Sequence, residues 1–126
     1  MPNLPEIPVP APIQDFTVYK GTSFVENLRP LDAEGNPYDL TGASVKIQVI
    51  SPLDGVTPLL EMSTIGGEIS ITEPPTFGEF VISLAPSDTA ALSSGGAYDV
   101  QIKLADGTIY PPILQGKFIL LKPLTQ

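Results

Sequence analysis

Fourteen carboxylates, with no imidazole and no thiol, bound the chemistry open to this chain. Asp32, Glu34, Asn36 and Asp39 bring oxygen ligands into one Gly-containing loop, the kind of donor set a hard cation takes up in a tight turn. Their spacing does not follow a helix-loop-helix calcium loop, and Asp, Gly, Asn and Pro are also what a hairpin selects. The loop therefore reads first as a turn and second as a cation site. Two acids held about 5–9.5 Å apart across a cleft hydrolyse glycosides, but Glu79 and Asp99 fall on outward positions of their strands, where water gives no reason for their acidities to part. Without His there is no Ser-His pair, no H-E-x-x-H zinc site and no side chain that ordinarily titrates near neutrality. Without Cys there is no disulfide, thiolate metal site or thiol nucleophile. Neither G-x-S-x-G nor S-x-x-K occurs. Tyr19, Tyr38 and Tyr110 remain as platforms for stacking a sugar ring, although Tyr110-Pro111-Pro112 reads better as a stiff bend. The sequence thus assigns no catalytic residue, no metal ligand and no cofactor, and the expectation is a protein that is not an enzyme.

Charge narrows the partners. Six basic residues against fourteen acidic ones give a formal −8, and Lys20, Arg29, Lys46, Lys103, Lys117 and Lys122 are scattered along the chain. Nucleic-acid binding rests on clustered Lys and Arg that release counterions from phosphates, so neither nucleic acid nor an anionic membrane is expected as a partner. The N-terminus has no basic cluster followed by an apolar stretch. The longest apolar run near the C-terminus is Phe118 to Leu121, so neither secretion nor a membrane span is expected.

The elements that must hold these residues are strands. At 126 residues one domain is expected, burying roughly 65–70% of the unfolded surface. Phe16 and Val18 alternate with Asp15 and Thr17, and a second strand is expected over about Ser23 to Leu31. Val45, Ile47 and Val49 oppose Ser44, Lys46 and Gln48, the period of a half-buried antiparallel strand. Thr57 to Met62 and Glu68 to Thr72 read as short strands near an edge. Phe80, Ile82 and Leu84 alternate with Val81 and Ser83, and the final strand is expected over about Gly116 to Leu121. The expected core is Phe16, Val18, Val45, Ile47, Val49, Phe80, Ile82, Leu84, Tyr98, Val100, Ile102, Leu104 and Phe118, enough to fill the gap of ~10 Å between two sheets.

Between Pro86 and Leu104 a helical turn, a Gly-Gly bend and an alternating strand follow in close order. Ser87-Asp88 can cap a turn running through Leu92. Leu92, Gly96 and Tyr98 then read as a structural corner, in which the Tyr98 hydroxyl returns to the backbone of the preceding turn and Val100 faces the core. On this basis the fold class is all-β, an immunoglobulin-like antiparallel β-sandwich over residues 13–122. A short tail, 123–126, follows it. An extended Pro-rich arm, 1–12, precedes it. Prolines at 2, 5, 8, 10 and 12 forbid helix and favour extended geometry. A stiff segment loses little entropy on docking, so Pro2, Pro5, Ile7, Pro8, Val9, Pro10 and Pro12 are the expected partner-binding residues.

Three stretches carry a family resemblance: Phe16 to Phe24, FTVYKGTSF; Asp32 to Val49, with its G-N-P-x-D-L-T-G-A corner; and Gly78 to Ile102, with T-A-x-L leading to G-x-Y-D-V. With the closing Leu-x-Gly-x-Phe-x-Leu, the chain resembles the small Ig-like structural proteins of tailed bacteriophages and is similar to the N-terminal domain of phage baseplate upper proteins. The resemblance covers about residues 13 to 121. It implies a virion module without catalysis or cofactor, made in the host cytoplasm. Its partners would be other virion proteins of the tail or baseplate, with homo-oligomers within the particle. Capsid decoration is the alternative placement. A host-surface carbohydrate-binding module is the rival class, with a small hydrolase third.

Overall fold

The computed structural model describes residues 5–124. Its eight strands are β1 (Phe16–Tyr19), β2 (Phe24–Leu28), β3 (Ser44–Ile50), β4 (Pro58–Ser63), β5 (Ile69–Ile71), β6 (Phe80–Leu84), β7 (Gly96–Lys103) and β8 (Gln115–Leu121). A 3₁₀ turn, Pro75–Phe77, precedes β6, and a single helical segment, α1 (Pro86–Ala90), follows it. The strands form a five-stranded sheet in the order β1-β8-β7-β3-β4 and a three-stranded sheet in the order β2-β6-β5. All pairings are antiparallel except β1 with β8, which is parallel. The architecture is all-β, with two sheets sharing one apolar core.

The alternation in the sequence fixes which residues meet. In β3, Val45, Ile47 and Val49 are buried, and they register with Ile102, Val100 and Tyr98 of β7. Phe80, Ile82 and Leu84 supply the facing layer from β6. Phe16 stacks on Tyr98 with ring centroids 4.8 Å apart, and Phe24 meets both Phe16 and Phe118 edge-on. Such pairs add about 0.5–1.5 kcal/mol beyond the area they bury. Of the expected core only Leu104 is merely half-buried. As expected, β4 and β5 are edge strands.

Three details depart from expectation. The second strand stops at Leu28 because Pro30 cannot donate to a ladder; Leu31 pairs instead with Pro37 across the acidic turn. The helical segment starts one residue before the expected cap. Pro86 occupies its first turn and Asp88 reaches back to accept the Ala85 N–H at 2.9 Å, so Ser87 is not the cap. The corner itself is built differently. The Tyr98 hydroxyl does not return to the turn before β7; it donates to the backbone carbonyl of Gln14, far away in sequence. Leu92 is buried, and Gly96, the first residue of β7, is backed against the Ile50 carbonyl. Among the described residues the cis peptide bonds are Val9-Pro10 and Glu73-Pro74.

Candidate functional site

The described residues of the N-terminal segment lie against other parts of the same chain. The seat is built by the start of β8. Gln115 donates its N–H to the Pro12 carbonyl at 3.0 Å and its side-chain amide to the Ala11 carbonyl at 3.0 Å, and its own carbonyl accepts the Gln14 N–H at 2.8 Å. Ile13 bridges Gln115 in the parallel sense, continuing the β1-β8 pairing toward the N-terminus. Asp15 accepts the Lys117 N–H at 2.9 Å through its carboxylate. Further out, Glu6 accepts the Ala33 N–H at 2.7 Å and Ile7 packs against the core. Pro5 and Pro8 are half-buried, while Pro10 and Pro12 are exposed and Val9 is 84% exposed. Pro2 lies outside the described residues. The described part of the segment is therefore held at Glu6–Ile7 and again at Ala11–Pro12, with Val9 and Pro10 exposed between them.

Tyr98 locks this seat. Burial, and then the charges of Asp15 and Glu26, push its phenol well above the usual tyrosine range, so it is a neutral donor across the physiological range. Gly116 makes the contact possible. It lies across from Tyr98 in the β7-β8 register, and a Cβ at this position would run into the Gln14 carbonyl that the phenol reaches. The closing Leu-x-Gly-x-Phe motif thus carries its glycine for a close backbone approach, a role the sequence alone does not reveal. Thr89 is a second residue missed. Wholly buried, it donates its hydroxyl to the Thr22 carbonyl at 2.8 Å and ties α1 to the β1-β2 turn.

The remaining candidates separate. Asp32 accepts the N–H groups of Glu34 and Asn36 at 2.9 Å each through one oxygen, closing the turn on itself. Among the described residues no three acidic side chains are grouped to hold a metal ion. Asp39 binds both the N–H and the hydroxyl of Thr41, which hold its carboxyl below the usual carboxylate range. Tyr38 and Tyr110 are buried, with ring centroids 6.0 Å apart, so their faces belong to the core and are closed to a sugar ring. The Tyr38 hydroxyl is shut from solvent with no partner among the described residues. Burial, reinforced by the charge of Asp32, pushes that phenol up to about 12. Tyr19 is half exposed on the outer face of β1. No described helix is long and apolar enough to cross a membrane. No protein-family model matches the chain, and no curated protein matches its sequence.

Proposed function

We propose that this chain is an immunoglobulin-like, non-enzymatic module of a tailed-bacteriophage virion, fixed to neighbouring particle proteins through its N-terminal segment. The observation that carries the immunoglobulin-like part of the reading is strand order, and the virion role rests on the resemblance over residues 13 to 121. The sheet β2-β6-β5 has the order of the B, E and D strands of an immunoglobulin domain, and β8-β7-β3-β4 has that of G, F, C and C′. The first strand pairs with the last instead of the second, which swings the N-terminal segment to the rim of the larger sheet. Burial within the stretches that carry the resemblance supports the reading. Tyr38 and Leu40 of the first corner, and Leu92, Tyr98 and Val100 of the second, are all buried. The Pro-rich segment supports attachment because its prolines stiffen it, it is seated at Glu6–Ile7 and at Ala11–Pro12, and it is exposed at Val9 and Pro10. The carbohydrate reading loses two of its three stacking platforms to the core.

The test is electron microscopy of particles from the phage whose genome encodes the chain, with the protein antibody-labelled, made in parallel with a chain lacking residues 2–12. Label on the tail or baseplate that disappears with the deletion is the expected result. Label on the head surface would shift the role to capsid decoration, and particles without label would overturn the virion reading.

A further inference from the structure

The two ends of the β3-β4 hairpin present different surfaces, an apolar turn at one and a groove at the other. At one end the turn Ser51 to Thr57 carries Leu53, 96% exposed, and Val56, 74% exposed. This knob is rigid: Asp54 accepts the N–H groups of Val56 and Thr57 at 2.9 Å each, and its second oxygen takes the Thr57 hydroxyl. At the other end, about 390 Å³ of groove lies over the outer face of β4, β3 and β7. Its walls are Ile65, 91% exposed, and Ile109, 55% exposed, and its floor carries Lys46 and Lys103. That end is also preorganised, since Ser63 accepts the Gly66 N–H at 2.8 Å and Thr64 donates its N–H to the Val45 carbonyl at 3.0 Å.

The exposed aliphatic side chains come in two pairs, Leu53 with Val56 on the turn and Ile65 with Ile109 at the groove. The volume of the groove exceeds that of a leucine and a valine side chain together. Charge selects the occupant. The chain carries −8 overall, yet this groove is lined by two ammonium groups against the one carboxylate of Glu61. Lys46 pairs at 3.7 Å with Glu61, and Lys103 has no ion-pair partner among the described residues. An acidic body meets least repulsion there, and the knob brings its own carboxylate, Asp54. Knob and groove lie at opposite ends of one hairpin, so they cannot meet within a chain. A contact between them is heterologous and repeats from copy to copy into a ring or a filament.

We propose that copies of this chain associate head to tail, with the Leu53–Val56 turn of one seated between Ile65 and Ile109 of the next. The inference takes from the proposed function only that copies stand side by side. Because the chain has no cysteine, mixing the single variants Leu53→Cys and Ile65→Cys under mild oxidation reads it directly. The expected result is a heterodimer in excess of both homodimers, and a ladder of higher oligomers from the double variant. Homodimers and heterodimers at statistical ratios, or no cross-linked product in the mixture, would overturn it. In sedimentation, Leu53→Asp and Lys103→Glu are each expected to weaken self-association by at least about tenfold. Circular dichroism checks that both remain folded, and Leu53→Ala serves if Leu53→Asp does not. Association unchanged in these variants would likewise overturn the proposal. An arm-deleted chain that leaves the particle while still cross-linking head to tail would separate this contact from the attachment reading.

Discussion

Tyr98→Phe tests how this fold is tied together, because it removes one hydroxyl and leaves the ring stacked on Phe16. The lost bond runs from the phenol to the Gln14 carbonyl. A net hydrogen bond is worth about 0.5–1.5 kcal/mol, and more when the partner it leaves behind is cut off from water. Gln14 is exposed, so water can replace the donor and the cost should stay near 1 kcal/mol. With 126 residues and about 2.1 cal/mol/K of unfolding entropy per residue, that corresponds to a fall in Tm of about 4 °C. Location discriminates more sharply than size. If the tether runs to the N-terminal segment, hydrogen exchange should accelerate at residues 12–16 and leave 85–96 unchanged. Protection lost in the 85–96 bend instead, or a cost above about 3 kcal/mol, would refute the tether and restore a local corner. Tyr98→Ala should cost about 3–5 kcal/mol, because it also opens a cavity among the aromatic rings.

Gly96→Ala should unfold the protein or cost more than about 3 kcal/mol in urea denaturation, because its Cβ would collide with the Ile50 carbonyl of a paired strand. Arg29 donates to the Phe77 carbonyl at 2.8 Å and stacks 3.8 Å over the Phe77 ring, so Arg29→Ala should cost about 1–2 kcal/mol; a Cm equal to wild type would dismiss the clamp. Hydrogen bonds from Thr57 lower the Asp54 pKa to about 2 from an ordinary 3.8, so its contribution is present above about pH 4 and is lost as pH falls through 2. The stability gap between wild type and Asp54→Asn should therefore narrow from pH 4 to pH 2, and a constant gap would contradict the turn geometry. Tyr38 behaves oppositely. Its phenol is raised from 10.0 to about 12, so above pH 10 the unfolded chain ionises first and stability falls with rising pH. Tyr38→Phe should be close to neutral at pH 7, because the hydroxyl has no partner, and more stable than wild type above pH 10.

Strands were legible because burial on one face of a sheet leaves a period of two, and Val45 to Val49, Phe80 to Leu84 and Tyr98 to Ile102 all keep it. Tyr38, Tyr110, Ile113 and Leu114 left no such trace. They enter the core from irregular segments, where no period relates neighbours, and flanking Asp, Asn and Pro made the two tyrosines look like surface residues. The acidic loop was legible as a turn for a local reason: Asp32 binds N–H groups two and four residues on. The Tyr98 partner was not legible, because nothing near it in sequence distinguishes a carbonyl 84 residues away from one in the adjoining turn. The seat of the N-terminal segment was missed for the same reason. Gln115 alone makes three of its hydrogen bonds, and a lone glutamine at the start of a strand carries no pattern.

That seat bears on what the segment can transmit. Ala11, Pro12, Gln14 and Asp15 are bound by residues 115–117 of β8, and β8 is in turn flanked by β1 and β7. A load on the segment therefore enters the five-stranded sheet directly and reaches the smaller sheet through the short β1-β2 turn and the core. Because β1 runs parallel to β8, a pull along the strand from the N-terminus shears the ladder, loading the bonds of Gln14 and of β1 together instead of one after another. If attachment is the segment's work, weakening should begin at the Gln14–Gln115 node. Gln115→Ala would then loosen residues 11–14 in hydrogen exchange while leaving β3 and β7 protected. Simultaneous loss across both sheets would show that segment and sandwich unfold as one unit, and the reasoning about load would fall.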